Sequence, residues 1–290
     1  MTEGRLVVVA TPIGNLGDLS ERALGTLRDA DVVACEDTRH TRALLSHAGI
    51  TGKALVSIHD HNEASRVQPI LGRLEQGEQV ALVSDAGLPT VSDPGARVVA
   101  AAAAAGAAVS VVPGPSAVVA ALAVSGLETG RFCFEGFLPR RGRERSERLE
   151  QIGSEPRTTV LFEAPHRLPA TLEDLARHCG GTRAVAVARE LTKLHEEIWR
   201  GSLQGALARS RQDPPRGEHT LVLAGALPPA PPSDAELEEA VRPLLAEGLT
   251  TRDAAGRAAS SLGVPRRRAY DAAVRIRAAA RIRAAARIRG

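Results

Sequence analysis

The loop between Ser84 and Asp93 has the composition of a ligand-binding connection. Its ten residues include two Asp, two Ser, one Gly and one Pro, whereas a plain connection is shorter and simpler. Gly87 permits a close approach of the backbone, and Asp85 can accept a hydrogen bond from an ammonium or hydroxyl group of a ligand. Asp93 can do the same, or it can cap the helix that follows.

Two further loops have related compositions. One follows the first apolar run and is made of small, polar and turn-forming residues, among them Thr11, Pro12, Gly14 and Asn15. Its spacing is not that of the G-x-G-x-x-G dinucleotide fingerprint. The other is a turn at 113–115 that presents backbone groups, and Ser116 after it is a natural helix cap with a spare hydroxyl. For each of these loops a structural role is as compatible with the residues as ligand binding.

Four clusters combine acidic residues with His, Arg or Lys, at Glu36–Thr41, His59–Asn62, Glu163–Arg167 and Arg189–Lys193. Each could be a solvated loop, but four of them at the ends of apolar runs indicate a substrate surface. His59 and His61 alternate at strand spacing. Because no third ligand is suitably spaced, no metal site is predicted.

The elements that position these loops follow from an alternation of β-branched runs with amphipathic stretches, which is typical of βα units around a parallel sheet. We therefore expect an α/β fold with a first α/β domain at 1–115. From 116 to 227 the later apolar runs follow one another closely, which predicts a second α/β domain with a mixed or antiparallel sheet. Open α/β sheets bind ligands beyond the carboxyl ends of their strands, where the polar loops would meet.

The end of the chain is predicted to be helical and basic. After a Pro-rich linker, residues 234–277 suggest a helix-turn-helix in which Gly263 separates two helices. Residues 266–290 carry nine Arg and one Asp, so the rest of the chain has a charge of −5 within a total of +3. This asymmetry points to a polyanionic partner. The tail at 278–290 repeats every six residues, forms no apolar stripe and is expected to be solvated and frayed.

Composition excludes several classes of protein. The chain is 43% apolar and 24% charged, as ordinary globular proteins are. Only one Trp, one Tyr and four Phe are present, which argues against recognition of nucleic acid by rows of stacking side chains. The three Cys are odd in number and widely spaced, so neither a disulfide framework nor a zinc ribbon is predicted. The uncharged stretch 98–127 is interrupted by 113–115, so we expect no membrane span, and without a signal-peptide pattern we expect a cytoplasmic protein.

Taken together, the motifs resemble the cytidine 2′-O-methyltransferases of bacterial 16S rRNA, within the tetrapyrrole methylase superfamily. The matching segments, which cover about Leu6 to Leu223, are in order ATPIGNLGD, EDTRHTRALL, HDHNE, SDAGLPTVSDPG, PGPSA, FEGFLPRR, FEAPHR and RELTKLHEE. The helix-turn-helix end is also similar to that family. Precorrin methylases share the fold but lack EDTRHT, EAPHR and RELTK. The repetitive Arg-Ala tail departs from the family pattern.

The resemblance implies two α/β domains of the tetrapyrrole methylase type, a homodimer, S-adenosylmethionine between the domains, and 16S rRNA or the small ribosomal subunit as substrate. It places the cofactor against Asp85, Ala86, Gly87, Pro89, Pro113, Gly114, Ser116 and Ala117. It places Thr11, Pro12, Gly14 and Asn15 beside the cofactor and the target nucleotide. The residues expected to face RNA are Arg39, Arg167, Arg189, Arg266, Arg267 and Arg268.

A ribose 2′-hydroxyl must lose a proton when it is methylated, and His166, Glu163 and Lys193 are the candidate bases, in that order. Histidine as a residue type can exchange a proton near neutral pH, whereas a lysine such as Lys193 needs a depressed pKa to act as a base. Each could instead contact phosphate or form an ion pair. Two other functions stay open: a tetrapyrrole C-methyltransferase, in which the basic end has no purpose, and a non-catalytic DNA-binding regulator, which would bind cofactor without methylating RNA.

Overall fold

The structure is a computed structural model that describes residues 4–227 and 231–289, with side chains described as far as residue 280. The chain folds as two compact units that divide between Ala226 and Leu227. Among the described residues, no helix is both long and apolar enough to cross a bilayer. Both sheets lie in the first unit, and the boundary at 115 stays a prediction.

The first sheet consists of five parallel strands, β1 Arg5–Val9, β2 Val32–Cys35, β3 Ala54–Ser57, β4 Gln79–Leu82 and β5 Ala108–Val112. Their order across the sheet is β3-β2-β4-β1-β5. The chain moves from β1 outwards to β2 and β3, returns to β4 beside β1, and then crosses to β5. The direction of winding therefore reverses after β3, and in a sheet wound in two directions ligands bind beyond the carboxyl ends of the strands.

Helices cover both faces of this sheet: α1 Glu21–Asp29, α2 Thr38–His47, α3 Glu63–Glu75 and α4 Ala96–Ala104. Leu27 of α1 and Leu45 of α2 pack in one cluster with Val33. On the other face, Ile70 of α3 and Val98 of α4 pack in a cluster with other strand residues. This doubly wound arrangement confirms the parallel α/β architecture predicted from the alternating pattern.

The second sheet consists of β6 Phe132–Phe137, β7 Thr158–Glu163, β8 Ala184–Arg189, β9 Glu197–Ser202 and β10 His219–Leu223. Their order is β6-β7-β10-β8-β9, with β6 and β7 parallel and the other pairs antiparallel, so the sheet is mixed as expected. The register places His219 opposite both Glu163 and Arg189. Two clusters that are distant in sequence therefore leave the sheet at the same edge.

Helix α5, Ala117–Ser125, covers one face of the second sheet, and Val118 and Leu122 pack there with Val160. The other face is covered by α6 Arg143–Ser154, α7 Leu168–Cys179 and α8 Leu203–Gln212. Helix α8 was not expected. Its signal is weak because Gly205 lies within it, and its N-terminus is fixed by the Ser202 hydroxyl, which accepts from the Gly205 amide.

The second unit contains α9 Asp234–Ala246, α10 Thr251–Leu262 and α11 Arg266–Arg289. Its core is made largely of small side chains, with Ala258, Ala269 and Ala272 packed against Leu237. Gly263 ends α10 with a φ of 63°, which suits Gly better than any L residue, as the predicted helix-turn-helix requires. The backbone of α11 stays helical to Arg289, unlike the frayed tail expected at 278–290, because Ala and Arg both favour helix.

Glu63 supplies the first prediction, because this buried residue of α3 stabilises the start of α4. Its Oε1 accepts hydrogen bonds from the amides of Gly95 at 2.9 Å and Arg97 at 2.8 Å, while the N-cap, Gly95, has no side chain to do so. We expect Glu63→Ala to lower the free energy of unfolding by about 1–3 kcal/mol. Glu63→Gln keeps the accepting oxygen and should lose less. Denaturant unfolding measures both variants, and a Glu63→Ala protein as stable as the wild type would contradict this role.

Candidate functional site

The loops after β1 and β4 are joined by backbone hydrogen bonds beyond the carboxyl ends of these strands. The Thr11 amide donates to the Gly87 carbonyl at 2.9 Å, and the Gly87 amide donates to the Thr11 carbonyl at 3.1 Å. The Thr11 hydroxyl, buried beneath the loop, also donates to the Ser84 carbonyl at 3.1 Å. Gly87 has a φ of 85°, where a side chain would be strained. These contacts fix the relative positions of the two loops.

A cavity of about 300 Å³ lies between these loops and the second sheet, and we call it the central cavity. Its size falls at the lower end of the range for small-molecule sites. The first sheet contributes Ala86 and Gly87, α5 contributes Ser116 and Ala117, and the second sheet contributes residues of β7, β8 and β10. Most of its walls are apolar, with a few polar groups among them.

An open groove of about 360 Å³ adjoins the central cavity, and we call it the outer groove. Ile13, Ala86 and Glu218 line both spaces and so form the wall between them. The outer groove is also lined by Thr11, Pro12, Gly14, His40, Asp85 and Lys193. The arrangement offers two adjoining spaces on either side of a shared wall, and the outer groove is the more open of the two.

The expected cofactor residues separate into three groups. Ala86, Gly87, Ser116 and Ala117 line the central cavity. Asp85 lines the outer groove instead, where its carboxylate accepts from the Asp37 amide at 3.1 Å and lies 3.0 Å from the His40 ring. Pro89, Pro113 and Gly114 are not among the described residues that line either space. Gly114 is tightly packed, since an added Cβ would lie 2.9 Å from that of Ala10.

Glu163 is buried at the wall of the central cavity with its carboxylate fully engaged. It accepts from the Ala164 amide at 2.9 Å and the Thr171 hydroxyl at 2.5 Å, and it pairs with Arg167 at 3.3 Å. Arg167 also donates to the Leu138 carbonyl at 2.6 Å. These bonds hold the short 3-10 helix Pro165–Arg167, whose middle residue, His166, is exposed and lines neither space.

Lys193 lines the outer groove as a cation. Its Nζ lies 2.9 Å from carboxylate oxygens of both Glu190 and Glu218. Burial lowers the pKa of Lys193, but the hydrogen bonds to Glu190 and Glu218 outweigh burial and leave the pKa raised. A base role for Lys193 needs the opposite shift.

The loop 190–196 after β8 is held against the loop after β1. The Asn15 amide donates to the Thr192 hydroxyl at 3.1 Å, and a Cβ added to Gly14 would lie 2.4 Å from the Lys193 Cγ. Glu190 and Thr192 have φ values of 51° and 66°, a conformation that costs about 1–3 kcal/mol for residues other than Gly. The contacts at Gly14 thus help to hold a strained loop beside the outer groove.

His219, Phe137 and Phe162 line the central cavity, although the sequence analysis selected none of them as a site residue. Burial lowers the pKa of His219, whose Nδ1 lies 3.1 Å from the Gly217 carbonyl. Phe162 is 5.7 Å from Phe137 and 4.9 Å from Phe134 between ring centroids. Phe137 and Phe162 belong to the FEGFLPRR and FEAPHR segments, but a position in a strand does not show which face meets a cavity.

The other arginines expected to face RNA lie in different settings. Arg39 is 84% exposed and pairs with Asp37 at 2.7 Å beside the outer groove. Arg189 is 3.5 Å from Glu197, and its Nε is buried without a hydrogen-bond partner among the described residues. Arg189 lines a small separate cavity of about 50 Å³.

The three consecutive arginines of the second unit differ in role. Arg268 donates to the Pro232 carbonyl at 2.9 Å and to Asp234 at 3.2 Å, so it fixes the start of α9. Arg266 lies over Gly256, where an added Cβ would be 2.7 Å from its Nη2. Arg266 and Arg267 are exposed and form no ion pair with the described part of the chain. In that same part, no group of three His, Cys, Asp or Glu side chains is placed to hold a metal ion.

Gly14 supplies the second prediction. In Gly14→Ala the added methyl would overlap Lys193 and approach the Thr192 hydroxyl to 2.9 Å, so the 190–196 loop must move. We expect methyl-transfer activity to fall by at least about tenfold, since small displacements at a reacting site are costly. Gly25→Ala on α1 meets nothing within 4 Å and serves as the control. Normal activity of Gly14→Ala would show that the loop contact is dispensable.

Comparison with known proteins agrees with this geometry. Residues 5–207 match the family model of tetrapyrrole (corrin/porphyrin) methylases, and residues 231–277 match the RsmI C-terminal HTH domain. The chain is similar to ribosomal RNA small subunit methyltransferase I of Synechocystis sp., with 49% identity over 95% of this chain and 99% of that protein. The protein of the same name from Mycobacterium tuberculosis is 47% identical over 96% of this chain and 97% of its own length.

Solved structures share the fold at low identity. Uroporphyrin-III C-methyltransferase from Thermus thermophilus aligns with a TM-score of 0.52 and 22% identity, over 76% of this chain and 94% of that one. The methyltransferase CobJ aligns with a TM-score of 0.58 and 20% identity, over 77% and 95%. These likenesses confirm the fold alone. The two relatives show more than the fold, because they are 49% and 47% identical to this chain over nearly the full length of both proteins. The chain therefore belongs to the ribosomal RNA small subunit methyltransferase I family of the tetrapyrrole methylases and is a methyltransferase.

Proposed function

We propose that the chain methylates the 2′-hydroxyl of a cytidine in 16S rRNA, with S-adenosylmethionine as donor. The observation that carries the proposal is the pair of adjoining spaces that share Ile13, Ala86 and Glu218 as a wall. The central cavity, with its mostly apolar walls, suits the donor, and the more open outer groove suits a nucleotide of a large RNA. The relatives from Synechocystis sp. and Mycobacterium tuberculosis are methyltransferases of small-subunit ribosomal RNA by name.

The residues of the central cavity fit S-adenosylmethionine. Gly87 has no side chain to crowd a ligand, Ser116 offers a hydroxyl at the start of α5, and Asp93 offers a carboxylate within walls that are mostly apolar. We assign binding to these residues together with Ala86 and Ala117. When bound, S-adenosylmethionine supplies an electrophilic methyl group on a positively charged sulfur.

Alignment of the two reactants provides most of the rate enhancement in this proposal. Holding them in line can supply about 7–11 kcal/mol, and a positioned base adds about 10²–10⁴-fold. Glu163 is committed to three partners and Lys193 is a cation, which leaves His166 among the three candidate bases. His166 lines neither space, so as a base it would have to turn towards the ribose from its place after Pro165, which lines the central cavity. Lys193 and Thr192 position the loop that borders the outer groove.

Binding of RNA is assigned mainly to three exposed arginines. Arg39 follows Asp37 in the first unit, and Arg266 and Arg267 form no ion pair with the described residues of the second unit. Phosphate contacts of this kind orient an RNA without reading its sequence. Arg167 is committed to Glu163, which leaves it a positioning role at the edge of the second sheet.

A homodimer and a cytoplasmic location belong to the same proposal. Apolar side chains remain exposed on the edge strand β5, at Val109 and Val111, and on the helix that follows it, at Val119 and Val124. Exposed apolar edge strands are usually covered by a partner. The small ribosomal subunit as substrate places the reaction in the cytoplasm.

The decisive experiment is methyl transfer from labelled S-adenosylmethionine to small ribosomal subunits that lack the modification, followed by nuclease mapping. We expect label in one cytidine ribose of 16S rRNA. Naked 16S rRNA, a tetrapyrrole precursor and duplex DNA are tested in parallel. Label in the tetrapyrrole, or binding of cofactor without any methylated RNA, would replace this proposal with one of the two other functions considered from the sequence.

His166 supplies the third prediction. If it accepts the hydroxyl proton, His166→Ala lowers turnover by about 10²–10⁴-fold. Calorimetric affinity for the cofactor should stay unchanged, because His166 does not line the central cavity. His178→Ala, an exposed substitution on α7, is the matched control. Loss of cofactor affinity in His166→Ala, or undiminished turnover, would exclude this base.

The fourth prediction separates the arginines of the second unit. Arg266→Ala with Arg267→Ala should weaken RNA binding, and each lost phosphate contact should reduce the log–log salt slope by about 0.7–0.9. Arg268→Ala should instead lower the thermal stability of the second unit, because the start of α9 loses two hydrogen bonds. Filter binding at several salt concentrations and thermal unfolding measure both effects. An unchanged salt slope in the double variant would place the RNA contacts elsewhere.

A further inference from the structure

Three carboxylates line the central cavity, and only two of them are paired. Glu163 pairs with Arg167 at 3.3 Å, and Glu218 pairs with Lys193 at 2.9 Å. Asp93 also lines the cavity, and it forms no ion pair with any residue that the structure describes. The cavity therefore contains one uncompensated negative charge.

The surroundings of Asp93 make this charge costly when the cavity is without a cation. Burial raises the pKa of Asp93 to about 6, the hydrogen bond from Ser84 lowers it, and the carboxylates of Glu36, Asp85 and Asp60 raise it further. A cation placed beside Asp93 would relieve this cost, because an opposite charge favours the ionised form.

Aromatic rings at the same cavity point independently to a cation. The chain has four Phe, and three of them, Phe134, Phe137 and Phe162, form one cluster. Phe137 and Phe162 line the cavity itself. Aromatic rings attract cations through their negative faces, and apolar walls strengthen the attraction between charges.

We propose that Asp93 recognises the positively charged sulfur of the methyl donor, so that the central cavity distinguishes the donor from the neutral thioether left after transfer. The inference rests on the proposed function. In the transfer an O–CH3 bond forms, the S–CH3 bond breaks with its electron pair left on sulfur, and the hydroxyl proton passes to a base. The sulfur therefore loses its charge while the rest of the ligand keeps the same ionic groups.

Asp93 is thus a specificity-determining residue that favours the reactant over the product. Once the sulfur is neutral, Asp93 again faces apolar walls and its carboxylate neighbours without a counter-charge. The cavity then holds the product less firmly than the donor, which promotes release.

The test compares the affinities of S-adenosylmethionine and S-adenosylhomocysteine by calorimetry at pH 8. The two ligands share their adenosine, ammonium and carboxylate groups and differ at sulfur. We expect Asp93→Asn to raise the Kd of S-adenosylmethionine by about tenfold and to leave that of S-adenosylhomocysteine unchanged. Asp60→Asn, which removes a neighbouring carboxylate outside the cavity, should change neither.

The pH dependence of the wild type provides a measurement without any substitution. Above about pH 6 Asp93 is ionised and the preference for S-adenosylmethionine is present; as pH falls through about 6, Asp93 becomes protonated and the preference decreases. His219 also faces the cavity, but Asp93→Asn retains it, so its titration appears in both proteins. The Kd ratio of the two ligands should therefore change with pH in the wild type and stay flat in Asp93→Asn.

Three results would overturn the inference. Equal weakening of both ligands in Asp93→Asn would show that Asp93 binds a group they share, such as the ammonium. An equal effect of Asp60→Asn would assign the preference to the summed field of the carboxylates. If the wild-type protein binds neither ligand, the proposed function is overturned and this inference with it. If RNA is methylated but either of the first two results is found, only this inference is overturned and the proposed function stands.

Discussion

The two backbone hydrogen bonds between Thr11 and Gly87 are the constraint on which the site depends. They join the loops that leave β1 and β4 in opposite directions, and so they fix Ile13 and Ala86 as the wall between the central cavity and the outer groove. Backbone hydrogen bonds suit this purpose, because they use only main-chain groups and leave the side chains of the two loops to contact a ligand. The residues assigned to the two spaces are positioned relative to this wall.

The second sheet supplies the opposite side of the site through its register. His219 pairs with both Glu163 and Arg189, so the segments after β7 and β8 emerge together. Charges there are mostly committed: Glu163 holds Arg167, and Glu190 and Glu218 hold Lys193. At this edge of the second sheet, ion pairs therefore hold the loops in position. The carboxylate that has no ion pair with the described residues, that of Asp93, lies in the loop after β4 of the first sheet.

The order of strands and helices, apart from α8, could be predicted from the sequence, because hydrophobic periodicity reports which face of an element is buried. Ala86, Gly87, Ser116 and Ala117 could be placed at the central cavity by resemblance. The roles of charged residues could not: the pKa of Lys193 depends on Glu218, which is 25 residues away, and Glu63 of the HDHNE motif caps a helix. His219 was missed because only the pairing of β10 with both neighbours places it at the cavity. These features depend on long-range contacts that local patterns do not contain.

The position of β1 in the first sheet has a consequence for synthesis of the chain. β1 is made first, yet it lies between β4 and β5, which end at Leu82 and Val112. At about 5–20 residues per second, a strand rich in valine must wait several seconds after it is made before either neighbour exists. During that interval its unpaired backbone and apolar side chains are available to other chains, as edge strands are. The nascent protein therefore depends on shielding of its first strand, by the ribosome exit tunnel or by chaperones, until the centre of its own sheet can close.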